Sequence, residues 1–187
     1  RNPQSIWPTN QLFNGLVQLD DDLTIIPDIA KSWTVNDSTN TYIFTLRSDV
    51  YFHKSKVFAS SSLRGLDSTR TVIASDFSYS FDRLRDEKLA SSGSWVLQNV
   101  HSYKAVNDST FSIQLKQPFP AFIGLLSMRY CSVVPEEAVR FYGSEFRRNP
   151  VGTGPFRFKL WEENIKLVLR KNPLYFEVSQ FEAIDVD

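Results

Sequence analysis

Between Asn149 and Phe158 the chain reads Asn-Pro-Val-Gly-Thr-Gly-Pro-Phe-Arg-Phe, two prolines and two glycines followed at once by alternating apolar and basic residues. Proline holds φ at about −65° and removes a donor, while glycine permits positive φ or the close approach of another backbone. The segment is therefore a stiff corner that feeds a strand, a joint and not a linker.

Around this joint the dominant pattern is alternation with period two. In Thr110 to Lys116, Phe111, Ile113 and Leu115 face one way and Thr110, Ser112, Gln114 and Lys116 the other, the pattern of a half-buried strand. Tyr42, Phe44 and Leu46 repeat it, as do Phe156, Phe158 and Leu160, and then Ile165, Leu167 and Leu169. The last two runs are separated only by Trp161-Glu162-Glu163-Asn164, which predicts an antiparallel hairpin directly after the corner. Helices punctuate the strands. Phe77, Phe81 and Leu84 fall at i, i+4 and i+7, predicting an amphipathic helix over Ser75 to Arg85 with Asp76 near its positive end. Pro120 and Pro135 each open a short helical run, and Gly143 is placed to close the second. Residues 54–71 form a serine-rich polar loop, and no internal repeat is present.

The 21 basic and 21 acidic residues cancel, which removes the electrostatic footprint of a nucleic-acid binder. A single cysteine, Cys131, excludes an internal disulfide framework and a multi-cysteine zinc site. No apolar run reaches the roughly 18 to 20 residues of a membrane-spanning helix. The chain starts at Arg1, and its last residues, Phe181 to Asp187, alternate like a strand still in progress. The expectation is a piece of a longer protein from which a targeting segment has been removed.

No catalytic or metal constellation is expected, and no cofactor. His53 and His101 are the only histidines and sit at no metal-ligand spacing, so both read as structural or surface residues. Cys131 lies in the strand-like Arg129-Tyr130-Cys131-Ser132-Val133-Val134 and reads as a small core hydrophobe. Asp20-Asp21-Asp22 lacks the glycine and distal glutamate of a calcium loop and reads as a solvated turn. Gly152-Thr153-Gly154 lacks the lysine and helix of a phosphate loop. Of the four tryptophans, Trp33, Trp95 and Trp161 read as packing anchors. Trp7, set among Asn2 to Asn10 ahead of the first apolar run, suits the rim of a cleft.

The order of segments resembles a family 5 extracellular solute-binding protein, the oligopeptide- or dipeptide-binding component of an ABC importer. The resemblance is carried by Asn10-Gln11-Leu12-Phe13-Asn14-Gly15-Leu16-Val17, Ile29-Ala30-Lys31-Ser32-Trp33, Tyr42 to His53 and Ala74 to Arg83. It continues through Pro118-Phe119-Pro120-Ala121-Phe122, Val134-Pro135-Glu136-Glu137, Pro150 to Phe156 and Arg170 to Phe176. It covers almost the whole chain, and the Gly-Thr-Gly-Pro corner is its sharpest element. This sequence departs from the family pattern at Lys54-Ser55, where an acidic residue and glycine are usual, and at Ile73, where threonine usually caps the helix; Ser75 is the substitute cap expected.

The resemblance implies an α/β (α+β) fold, a periplasmic binding protein type II-like lobe. In it a mixed sheet from the two chain ends, residues 1–13 and 151–187, carries an inserted domain of antiparallel strands and short helices, residues 14–150. Gly152, Thr153, Gly154 and Pro155 would be the joint between them, and a second ligand-binding lobe would lie outside this chain. It also implies capture of a peptide at the cell envelope, association with permease subunits and a lipid anchor outside this chain. Gln4, Ser5, Trp7 and Asn10 would form the ligand wall. A nickel, haem or oligosaccharide cargo is the alternative within the family. A carbohydrate-binding or structural surface module is the alternative outside it, and a hydrolase has no assembled nucleophile and base behind it.

Overall fold

In the computed structural model, residues 6–38, 40–58, 68–89, 91–162 and 165–177 are described. The centre is a four-stranded antiparallel sheet in the order β3 (Ala30–Asn36), β4 (Thr41–Leu46), β6 (Thr110–Leu115), β5 (Val100–Asn107). The alternation in the two central strands sets the register: Phe44 lies opposite Phe111 and Tyr42 opposite Ile113, so all four side chains share one buried face. Helix α2 (Ala74–Arg85) lies on that face through the stripe of Phe77, Phe81 and Leu84. The Phe81 ring meets Phe111 edge-on at 5.5 Å and Phe77 lies 5.7 Å from the same ring. Tyr42 is closed over by Phe122 of the short α3 (Phe122–Leu126) at 5.4 Å.

Helix α2 begins one residue earlier than the sequence predicts, and Ser75 is not its cap. The extended Ile73 holds the cap position, and the Asp76 carboxylate accepts from the Ile73 N–H at 2.9 Å. Asp76 can be buried there because Arg70 donates to both its oxygens at 2.7 and 2.8 Å and to both oxygens of Glu137 at 2.7 Å. The guanidinium also sits 4.9 Å from the Phe52 ring centroid. This network locks the end of the serine-rich loop to α2 and to α4 (Glu136–Tyr142). Helix α4 follows Pro135 and stops at Gly143, whose φ of 52° only glycine adopts without strain.

The remaining strands form two hairpins, β1 (Val17–Leu19) with β2 (Ile25–Pro27) and β7 (Phe156–Glu162) with β8 (Lys166–Lys171). The Asp20 carboxylate closes the first by accepting from the N–H groups of Asp22 and Thr24 at 3.0 and 2.8 Å, so the acidic run is a turn. In the second, Ile165 is in the turn and 76% exposed, so it is not part of the strand as the alternation suggests. Cys131 is likewise in a 3-10 turn, Arg129–Cys131, though buried as expected. Trp95 and Trp161 are exposed and not packing anchors. Every strand pair among the described residues is antiparallel. The strand that the sequence suggests in Phe181 to Asp187 lies outside them. Among the described residues no helix is long and apolar enough to cross a membrane.

Candidate functional site

The corner draws four distant parts of the chain together. The Gly154 N–H donates to Leu12 O at 3.0 Å, at the end of α1 (Ile6–Leu12). A Cβ on Gly152 would stand 2.0 Å from Leu12 O and 2.7 Å from the Phe13 ring; one on Gly154 would stand 2.4 Å from Gln11 O. Both glycines are therefore required by close backbone approach, not by their own φ. The Thr153 hydroxyl donates to Asn14 Oδ1 at 2.9 Å and accepts from the Asn14 N–H at 3.2 Å. Just after β8, Asn172 donates its side-chain amide to Gly154 O at 3.0 Å and its backbone N–H to Pro155 O at 2.7 Å.

His53 completes the clasp. Its backbone N–H donates to Gly152 O at 2.7 Å, its Nδ1 accepts from the Gly152 N–H at 3.2 Å, and its Nε2 stands 3.0 Å from Gly154 O. Because Nδ1 is the acceptor, Nε2 carries the proton and the ring is neutral. Burial pushes the His53 pKa down to about 4, with the nearby Arg157 charge acting the same way and the Gly154 carbonyl opposing. Both ring nitrogens are used, so His53 is a structural residue, as its isolation in the sequence suggests.

Asn14 extends the corner into a second buried group. Its amide donates to Asp28 Oδ1 at 3.0 Å and the Gly15 N–H donates to Asp28 Oδ2 at 3.1 Å. Burial still dominates and pushes Asp28 up to about 7, against the Gly15 hydrogen bond and with help from Glu177. Glu177 itself accepts from Tyr175 Oη at 2.8 Å and from Gln18 Nε2 at 3.1 Å.

Beside the corner lies an open cleft of about 490 Å³. It is lined by Thr9 and Phe13, by Ser80 and Arg83 of α2, and by Ser91, Ser92, Arg129 and Tyr130. The cleft is built onto the corner: Ser80 Oγ accepts from the Val134 N–H at 3.0 Å, and the Val133 N–H donates to Asn14 O at 3.0 Å. Gly93 leaves room for Tyr130, whose ring would stand 2.3 Å from an added Cβ. Arg129 stacks on Tyr130 at 4.9 Å and donates to its hydroxyl at 3.3 Å. Among the described residues neither Arg83 nor Arg129 has a carboxylate partner, in contrast to Arg70. Two guanidiniums with hydroxyls and an aromatic face can hold a carboxylate-bearing solute by charge-assisted hydrogen bonds.

Of the residues that the sequence singles out for ligand contact, Gln4 and Ser5 lie outside the described residues. Trp7 belongs to α1, and its side chain lies outside the described ones. Asn10 is exposed on α1, and its helix neighbour Thr9 lines the cleft. Gly152, Thr153, Gly154 and Pro155 form the corner described above. Sequence reasoning misses Arg83, Arg129 and Tyr130, which come from separate segments and carry no common spacing. Cys131 donates weakly to Leu125 O at 3.7 Å, and burial pushes its thiol up to about 12.

Residues 24–187 match the family model described as bacterial extracellular solute-binding proteins, family 5 Middle. The chain is 27% identical over 165 residues to the glutathione-binding protein GsiB of Salmonella typhi, covering 88% of this chain and 30% of that protein. Among solved structures it is similar to the periplasmic binding protein DppA of Helicobacter pylori in complex with the peptide STSA. The TM-score is 0.80 at 27% identity, covering 94% of this chain and 36% of that one. It is also similar to NikZ of Campylobacter jejuni in complex with Ni(L-His), with a TM-score of 0.75 at 27% identity over 90% of this chain and 31% of that one. The chain thus spans about a third of the length of the relatives it matches. The likeness places the fold with the type II-like periplasmic binding proteins, and the chain belongs to the family 5 bacterial extracellular solute-binding proteins.

Proposed function

We propose that this chain supplies one wall of the solute site of a binding protein that captures peptides outside the cytoplasmic membrane and hands them to the permease of an ABC importer. The protein works in the periplasm or cell envelope, held by a lipid anchor, and carries out no covalent chemistry. Residues 1–13 and 151–187 belong to its main lobe, residues 14–150 to an inserted domain, and the corner is the rigid joint between them. Gln4, Ser5, Trp7 and Asn10 continue the wall from the cleft edge at Thr9. A second lobe closes over the ligand, and closure is favoured by the contacts that the closed state adds.

The observation that carries this reading is the cleft against the corner, with Arg83 and Arg129 lining it and no carboxylate paired to either among the described residues. Peptides bring the carboxylate that these groups lack. The test is titration calorimetry on the protein as its gene encodes it, with a pool of di- to pentapeptides. Micromolar binding that weakens about tenfold in Arg129→Gln is expected; no binding to any peptide overturns the reading. The likeness to NikZ supports a second reading, a chelated nickel ion whose organic ligand brings the carboxylate. Nickel with L-histidine in the same titration separates the two.

A further inference from the structure

The hairpin of β7 and β8 sets Arg157 directly opposite Arg170, and paired positions on antiparallel strands project to the same face. Like charges in that relation repel, so the pair is unfavourable unless something anionic lies between them. Among the described residues no carboxylate supplies it. A small open pocket of about 260 Å³ surrounds the pair, lined also by Lys54, Lys159, Phe158 and His53. Among the described residues no Asp or Glu lines it, and none of the four basic side chains has an acidic partner. Elsewhere basic residues do find partners: at the turn end of the same hairpin Lys166 pairs with Glu162, and Arg148 lies 4.0 Å from Glu145.

A second observation points the same way. Arg157 Nε is buried and has no acceptor among the described residues. A buried guanidinium N–H without an acceptor is costly, and such groups are satisfied in nearly all folded proteins. His53 cannot serve, since both of its ring nitrogens are taken by Gly152 and Gly154. Phe158 and Pro150 add apolar surface to the pocket lining.

We infer that this pocket is an oxyanion site of the phosphate class, in which Arg157 and Arg170 grip one anion between them and Lys54 and Lys159 close its rim. Guanidinium pairs match phosphate oxygens by parallel N–H bonds, and lysine adds point charge. The site shares no residue with the peptide cleft and does not depend on the reading of that cleft. The anion is either free phosphate or the headgroup of an anionic lipid.

Thermal unfolding of the full-length protein separates these cases. In phosphate-free buffer at fixed ionic strength, added inorganic phosphate raises the wild-type midpoint by several degrees and saturates. Arg170 is exposed, so Arg170→Gln folds; its midpoint without phosphate equals or exceeds that of wild type, because one of two repelling charges is gone, and its phosphate response is lost. Lys159→Gln keeps a weakened response. Sedimentation with phosphatidylcholine vesicles, with and without phosphatidylglycerol, identifies a headgroup if only the anionic vesicles retain wild type and release Arg170→Gln. A protein that responds to neither phosphate nor anionic vesicles overturns the proposal. So does a response that Arg170→Gln and Lys159→Gln leave unchanged, or one that potassium chloride reproduces.

Discussion

Phe13 touches both the corner and the cleft, and on either side of it the chain treats polar groups in opposite ways. In the corner, His53, Asn14, Thr153 and Asn172 spend their donors and acceptors on one another and on the backbone of Gly152 to Pro155. In the adjoining cleft, Arg83 and Arg129 meet no carboxylate among the described residues. A buried polar group must be satisfied internally, whereas a group facing a cleft can be left for a ligand. The contrast separates what holds the fold from what is available to recognise something.

If the corner is purely structural, disturbing it must produce the largest stability losses. In Gly152→Ala the added methyl stands 2.0 Å from Leu12 O, a backbone atom that cannot swing aside. We expect a loss of at least about 4 kcal/mol in urea unfolding, at the extreme of single-substitution effects. A loss below about 1 kcal/mol would mean that the two backbones are not in contact. Next is Arg70→Gln, which leaves the buried Asp76 without its cation and should cost about 3 kcal/mol.

The corner also titrates, and its two buried groups oppose each other. His53 is depressed to about 4 from 6.5, so between these values the unfolded chain binds the proton and the folded one does not; stability rises with pH there and is lost as pH falls. Asp28 is raised to about 7 from 3.8, so between these values the folded chain holds the extra proton, and stability falls as pH rises. Across its own window His53 is worth roughly 3 kcal/mol and Asp28 roughly 4 kcal/mol, and in wild type the two slopes largely cancel from about pH 4 to 6.5. In Asp28→Asn the curve should climb over that range, and in His53→Gln it should descend. Urea midpoints at half-unit pH steps check this, and parallel curves for the two variants would disprove the assignment.

The corner was legible in the sequence because its cause is local. Glycines and prolines mark a backbone constraint wherever they stand, and the alternation of Phe111, Ile113 and Leu115 marks a strand for the same reason. The cap of α2 was misread as Ser75 because Asp76, three residues beyond the cap, does the work through the Ile73 N–H. Cys131 was misread as part of a strand because an apolar run alone does not separate a strand from a buried 3-10 turn. The cleft was not legible at all. Arg83, Ser91 and Arg129 carry no shared periodicity, and only the packing of α2 against the 3-10 turn at Arg129–Cys131 brings them together.

The smallest expected stability effect is therefore the most telling about the cleft. Arg83 makes no ion pair among the described residues, so Arg83→Gln should move the unfolding free energy by no more than about 0.5 kcal/mol, the range of surface substitutions away from special features. Arg129→Gln loses the stacking on Tyr130 and should cost about 0.5 to 1 kcal/mol. Binding should respond in the opposite proportion. A charge-assisted hydrogen bond to a carboxylate contributes about 1.5 to 3 kcal/mol, so either variant should weaken a peptide with a free C-terminus by about tenfold or more. The same peptide with an amidated C-terminus should bind wild type and variants alike. If Arg83→Gln instead unfolds the protein and leaves the ratio of free to amidated affinity unchanged, Arg83 belongs with His53 and Asn14 as part of the frame, and the boundary between corner and cleft has been drawn in the wrong place.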